Sequence, residues 1–227
     1  QTASRQKDRY IFLAEESERH ALLMGTAFTN FYYEQEFGRT SKKIYANELL
    51  HLYKQNGSDF IKYIKGIFII LIFDEKDEKY YIFNSRNALF DAYYYQANNS
   101  LYISSSILPI LKIADWTVDH VALLQQHVFE YPLGIDRTPF NEIKNVPIGS
   151  FLFFDGVQTS INQYFDYKEK LEDIGQISWK ETYRAIPDVF NKVVSTIVEP
   201  QNSLNAAITS GFDSRAILSA LMRYFPD

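Results

Sequence analysis

Ile67-Phe-Ile-Ile-Leu-Ile-Phe73 is an apolar run with no polar interruption, closed in front by Gly66 and behind by Asp74. A strand with one wet face alternates apolar and polar residues, whereas a strand covered on both faces has no need to. The run is of strand length, and Ile and Phe suit a pleated surface. It therefore predicts a central strand with a layer of structure on each side.

Upstream, Asp59-Phe-Ile-Lys-Tyr-Ile-Lys65 reads as a short helical piece. Before it, residues 41–53 place Ile44, Leu49, Leu50, Leu52 and Tyr53 among polar residues, with Ser41 as a possible N-cap and Gly57 as a stop, which predicts an amphipathic helix. Tyr10-Ile-Phe-Leu-Ala14 and Ala21-Leu-Leu-Met-Gly-Thr-Ala-Phe28, separated by the charged Glu15 to Arg19, form a hairpin pattern. Downstream, Asp74-Glu-Lys-Asp-Glu-Lys79 reads as a solvated hairpin tip, with Tyr80-Tyr-Ile-Phe83 returning as partner strand. A second strand-turn-strand unit follows in Tyr93 to Gln96 and Leu101 to Ser104, turning at Asn98-Asn99. Sheet segments with two apolar faces, interleaved with helices, imply two stacked sheets flanked by helices.

Val118, Val121, Leu124 and Val128 are at helical spacing. Pro139, Pro147 and Gly149 punctuate a loop before a strand at Phe151 to Phe154 and a turn at Asp155-Gly156. The polar, turn-forming stretch from Tyr164 to Gly175 predicts a linker, which divides the chain into residues 1–175 and 176–227. Trp179 to Val198 is helical in pattern, and Pro187 within it predicts a kink or a restart.

Composition narrows the function classes. With 46% apolar and 22% charged residues among 227, this is an ordinary globular chain long enough for one domain and part of another. The aromatic share of 16% comes mostly from 17 Tyr and 18 Phe, which are strand formers. A net charge of −5 gives no basic footprint, so nucleic acid is not an expected partner. No segment is long and apolar enough to span a bilayer and the first residues do not form a signal peptide, so no membrane partner is expected and the expected compartment is the cytoplasm. The absence of Cys removes disulfides and thiolate sites, and the four His are scattered without metal-ligand spacing.

The residues richest in chemistry lie near the end, in Leu204-Asn-Ala-Ala-Ile-Thr-Ser-Gly-Phe-Asp-Ser-Arg-Ala-Ile-Leu-Ser-Ala-Leu221. This reads as strand, tight loop, helix. Small residues opening a helix leave several N–H groups directed one way at the positive end of the macrodipole, which suits phosphate or pyrophosphate. Asp213 among those donors would repel phosphate unless a divalent cation lay between, so Thr209, Ser210, Gly211, Phe212, Asp213 and Ser214 together suggest a cradle for Mg-nucleotide. The other reading is an ordinary strand-to-helix turn with Asp213 or Ser214 as N-cap.

Thr209-Ser210-Gly211-Phe212-Asp213-Ser214 resembles the Ser-Gly-Gly-x-Asp-Ser pyrophosphate loop of the ATP pyrophosphatases. The chain before it resembles the asparagine synthetase family, with its β-lactam synthetase and peptide-cyclase relatives. Three further pieces carry the resemblance in the expected order: Glu48 to Gly57, Gly66 to Asp74, and Thr138-Pro-Phe-Asn-Glu-Ile-Lys-Asn-Val-Pro-Ile-Gly149. It implies an α+β fold: a four-layer α/β/β/α glutaminase-like (Ntn) sandwich, then the first helix-strand-loop-helix of an α/β ATP pyrophosphatase domain. The implied chemistry is adenylation of a small-molecule or peptide carboxylate by ATP, with Mg²⁺ on Asp213, followed by attack of an amine or ammonia. Asparagine biosynthesis is the type reaction, and a homodimer the implied assembly. Adenine-binding and acyl-substrate residues of such enzymes would follow Asp227, so the stretch given is expected to be inactive by itself.

The resemblance also exposes departures. Its glutaminase domains use an N-terminal Cys as nucleophile, and this chain has none. Their Asn-Gly oxyanion pair falls on Met24-Gly25, where Met offers no donor. Their Arg-Asp substrate clamp falls on Asn84-Ser85. A longer N-terminus would return only the nucleophile, so no glutaminase residue is expected to be catalytic. In the pyrophosphate loop, Thr209 and Ser210 replace Ser and Gly, and a positive φ at Ser210 would strain it by about 1 kcal/mol. A different class of reading is a non-catalytic scaffold that keeps the fold for protein contacts.

Overall fold

A computed structural model describes residues 11–29, 43–87, 89–130, 134, 136–173, 178–198 and 206–223. Its centre is an antiparallel sheet in the order β1-β2-β4-β5-β9-β10, with β3 also paired to β2. The strands are β1 (Ile11–Glu16), β2 (Arg19–Thr29), β3 (Lys43–Ile44), β4 (Ile64–Asp74), β5 (Lys79–Asn84), β9 (Ser150–Phe154) and β10 (Thr159–Gln163). A second, three-stranded sheet runs β7-β6-β8, from β6 (Tyr93–Ala97), β7 (Ser100–Ser104) and β8 (Lys144–Asn145).

The apolar run is the middle of β4, paired with β2 on one side and β5 on the other, as its uninterrupted pattern requires. Alternate residues feed two cores. Phe68, Ile70 and Ile72 face helix α1 (Ala46–Asn56), where they meet Leu49, Leu50, Tyr53 and Phe60. Ile69 faces the second sheet, and with Ile82, Leu152 and Phe154 packs against Ala92 and Val146, flanked by Tyr94, Leu101 and Ile103. A short helix, α2 (Ile107–Leu111), packs against β6 and β7 of that sheet with Ile110 buried. The layers are helix, sheet, sheet, helix.

Both predicted tight turns have the backbone that right-twisted hairpins favour. Ser17 and Glu18 have φ of 50° and 62°, and Asn98 and Asn99 have φ of 48° and 58°. Helix α1 begins after Tyr45, whose N–H donates to the Glu48 carboxylate at 3.1 Å, and ends at Gly57. The expected N-cap Ser41 lies outside the described residues, and the helix starts later than expected, with Tyr45 as its N-cap, because Lys43 and Ile44 are taken up in β3 by pairing with Phe28 and Ala27.

Several expectations are corrected. The helical piece at 59–65 is a 3₁₀ turn over Gly57–Tyr63, and Lys65 already belongs to β4, because Ile64 has a partner in Thr29. The hairpin tip after β4 is not wholly solvated. Asp74 is buried and receives Arg19 Nε at 2.7 Å and the Asp77 N–H at 3.3 Å. The stretch after Tyr164 is no simple linker. Its aromatic residues anchor it, with Tyr164 donating to Asn84 O at 2.7 Å and Tyr167 to Asn87 Oδ1 at 2.9 Å, and helix α4 (Tyr167–Asp173) follows. The boundary between 175 and 176 falls outside the described residues.

Helix α3 (His120–Phe129) begins after Asp119, and Val118 instead bridges to Phe140. Helix α5 (Trp179–Ile197) runs through Pro187 without restarting, opened by a capping box of Ser178 and Glu181. Helix α6 (Phe212–Leu221) closes the described chain. No strand is present over 206–209. A strand needs a neighbour to satisfy its backbone, and among the described residues these have none; Leu204 and Asn205, where the strand was expected to begin, lie outside the described residues. No helix among the described residues is long and apolar enough to cross a membrane.

Candidate functional site

Two places gather the residues singled out by sequence. The first is the turn into α6. Gly211, with φ −69° and ψ 157°, is the N-cap, so neither Asp213 nor Ser214 plays that part. Ser210 is not among the residues with positive φ, so a non-glycine side chain there is unstrained.

The turn is tied by its own side chains. Ser214 Oγ accepts from Thr209 N at 3.1 Å and lies 3.1 Å from Thr209 Oγ1, which in turn accepts from Gly211 N at 3.3 Å. Arg215 closes it from outside, donating to Ser210 O at 3.2 Å and Gly211 O at 3.3 Å and stacking on the Phe212 ring at 4.6 Å. Sequence reading had passed over Arg215, although a cation on the first turn beside a small-residue loop is a visible signal. Asp213 is exposed on that same turn. First-turn N–H groups have no intrahelical acceptor, so the turn carries donors, a guanidinium and an exposed carboxylate within a few residues of one another. That set fits the phosphate end of a Mg-nucleotide, with most of the cation's oxygen ligands supplied by the nucleotide and water. Among the described residues no group of three or more His, Asp or Glu is arranged to hold a metal ion.

The second place is a row across the large sheet. Met24 pairs with Ile69 and Ile69 with Asn84, so the three share the face turned to the second sheet. Gly25, paired with Phe68 in the ladder, has φ 104°, and a Cβ there would come within 2.2 Å of Ile67 O and 2.8 Å of Phe90 Cε2. Asn84 is buried and donates through Nδ2 to Val146 O at 2.8 Å, while its Oδ1 has no partner. Ser85 Oγ and Arg86 Nε are likewise buried without partners. The Arg86 guanidinium stacks on Phe165 at 4.2 Å and donates to Lys62 O at 3.3 Å. Burial pulls its pKa below the ordinary arginine value. Burial also lowers Lys65, with a smaller push from Arg86, and raises Tyr164.

This row is an apolar surface with one amide at its end. Met24 itself brings neither a nucleophile nor a hydrogen-bond donor to the place beside Gly25. Phe90, which sequence reading did not single out, packs with Met24 against the core between the sheets. Apart from both places, an open groove of about 620 Å³ lies along α3, lined by His120, Leu123, Leu124, Gln126 and His127.

Over residues 33–165 the chain matches the family described as glutamine amidotransferase domain. No curated protein matches it. Two solved structures resemble it weakly. One is described as the allosteric regulatory enzyme of purine biosynthesis, at 14% identity and a TM-score of 0.38 over 67% of this chain and 30% of that one. The other is glutamine phosphoribosylpyrophosphate amidotransferase from B. subtilis complexed with ADP and GMP, at 13% identity and a TM-score of 0.38 over 70% of this chain and 32% of that one. The chain thus spans about a third of the length of those proteins.

Proposed function

The chain belongs to the glutamine amidotransferase domain family, and from that premise we propose that it is the amidotransferase-like portion of an asparagine synthetase-like, ATP-dependent amide ligase that no longer takes its nitrogen from glutamine. The observation that carries the ligase reading is the turn at Thr209–Ser214, tied by Ser214 and Arg215 at the N-terminus of α6 with Asp213 facing solvent. In such a reaction a substrate carboxylate oxygen attacks the α-phosphorus of ATP and pyrophosphate leaves. An amine nitrogen then attacks the acyl carbon, AMP leaves, and the nitrogen gives up a proton. The α6 N–H groups and Arg215 would receive the pyrophosphate charge, and Asp213 would orient a Mg²⁺ on it. Mg²⁺ supplies charge neutralisation at the departing phosphates.

The loss of glutaminase chemistry is supported by Met24 and Asn84-Ser85, which leave the row between the sheets without an oxyanion donor or an ion-pair clamp. The amine is then free ammonia or an amine borne by a substrate.

The test uses the full-length protein. Titration of Mg-ATP into wild type and Asp213→Asn, at equal thermal stability, should show weaker binding in the variant and loss of amide formation. Identical binding, or none in either protein, defeats the ligase reading and leaves the scaffold reading. The uncovered apolar residues Val121, Leu124, Val128 and Phe129 of α3 would support the latter. Incubation with glutamine should release no glutamate above a no-enzyme control, and release would overturn the lost-glutaminase half.

A further inference from the structure

We propose that Phe90 is a plug: its ring fills the space between the two sheets beside Gly25, so the pocket is closed by packing as well as stripped of its chemistry. This rests on placing the former glutamine site along the Met24, Gly25 and Asn84 row, as above.

Three observations converge. The first is contact. A Cβ on Gly25 would lie 2.8 Å from Phe90 Cε2, so an aromatic carbon stands against the backbone where a substrate carbonyl would have to approach. A carbonyl and a ring edge cannot share that space. The second is anchorage. Phe90 packs with Met24 and Tyr94 against Ile69, Ile82, Ala92 and Val146. Two residues along, Ala92 is pinned to the end of β8, its N–H donating to Asn145 Oδ1 at 3.1 Å and its carbonyl accepting from Val146 N, just past that strand, at 2.9 Å. The ring is held by the same core that joins the sheets.

The third is the polar remnant. At the end of the row the buried Asn84 Oδ1 has no donor, while the rest of the row, Met24 and Ile69, is apolar. Buried side-chain oxygens are nearly always paired. An unpaired one bordering an apolar row is what a polar pocket leaves behind when its occupant is replaced by hydrocarbon. With the ring removed, the space would have apolar walls and one acceptor. It would suit a small neutral molecule with an apolar body and a single N–H better than a zwitterionic amino acid.

The experiment compares wild type, Phe90→Ala and Phe90→Leu, probed with benzene, indole and glutamine by thermal shift and by the NMR signals of the Met24 and Gly25 amides. Wild type should respond to none. Phe90→Ala should gain a melting-temperature rise of several degrees with millimolar indole, larger than with benzene, and a shift of the Gly25 amide. Phe90→Leu, which refills much of the space, should gain little. Acquisition of glutamine binding by Phe90→Ala would also support the plug. A folded Phe90→Ala that answers neither indole nor benzene overturns it, as does a wild-type Gly25 amide that shifts with glutamine. Should the alanine variant fail to fold, Phe90→Val is read by the same outcomes. Neither glutamate release nor Mg-ATP binding is measured here, so failure of the plug leaves the ligase proposal standing, and the reverse.

Discussion

At Gly25 and at Asp119 single atoms carry a specific structural task. A methyl group at Gly25 would meet the Ile67 carbonyl, a backbone atom that cannot step aside, and would have to tolerate φ 104°. Gly25→Ala should therefore cost more than about 2 kcal/mol in chemical denaturation, against less than about 0.5 for an ordinary surface change. Asp119 caps α3 through the N–H groups of Val121 and Ala122 and grips Arg137 Nε at 2.7 Å. The Arg137 hydrogen bond first, then the backbone donors, lower its pKa from the usual carboxylate range to about 2. A depressed carboxylate stabilises the fold above its unfolded pKa of about 4, and that contribution is lost as pH falls through the folded value. The stability gap between wild type and Asp119→Asn should thus be constant above about pH 4 and close toward pH 2. A gap unchanged at pH 2.5 would contradict the assignment. The grip on Arg137 was not legible in the sequence, because that partner lies 18 residues away, outside any local pattern.

Among the elements, β4 makes the strongest claim and the easiest to check. Phe68 is 1% exposed in the core under α1, and Ile69 is 3% exposed between the sheets. Each changed to Ala should cost roughly 2–5 kcal/mol, measured by urea unfolding, and each reports on a different interface. A loss below about 0.5 kcal/mol at either site would contradict its burial. Elements whose pattern is local were legible: the continuous apolar run, the Asn98-Asn99 turn, the amphipathic α1. Those decided by distant partners were not. β10 reads as a polar stretch, Thr159 to Gln163, and is a strand only because β9 offers a ladder. Ala206 to Thr209 has the strand-forming residue Ile208 and no ladder to join. The same limit held at the candidate site. The loop residues stood out by type, whereas Arg215 closing the loop and Phe90 against Gly25 depend on where side chains meet in space.

For the molecule as a whole, order should follow coverage. The described parts of α5 and α6 are mostly exposed, with Trp179, Tyr183 and Phe212 at 77%, 68% and 83%, whereas β4 lies between two cores. Hydrogen exchange should be slowest in β4 and its partners and clearly faster in residues 178–198 and 206–223, since local opening is cheapest where little apolar surface is buried. Equal protection would show that the helical end is held as firmly as the sheets. The strand order has a further consequence, for the chain while it is being made. Tyr80 of β5 pairs with Phe154 of β9, about 70 residues later, and the whole second sheet is threaded between them. Closing so long a loop adds little to the equilibrium cost but delays the event. Until Phe154 is made, the growing chain must carry one flank of β5 without its ladder partner, an unpaired strand edge beside the apolar β4.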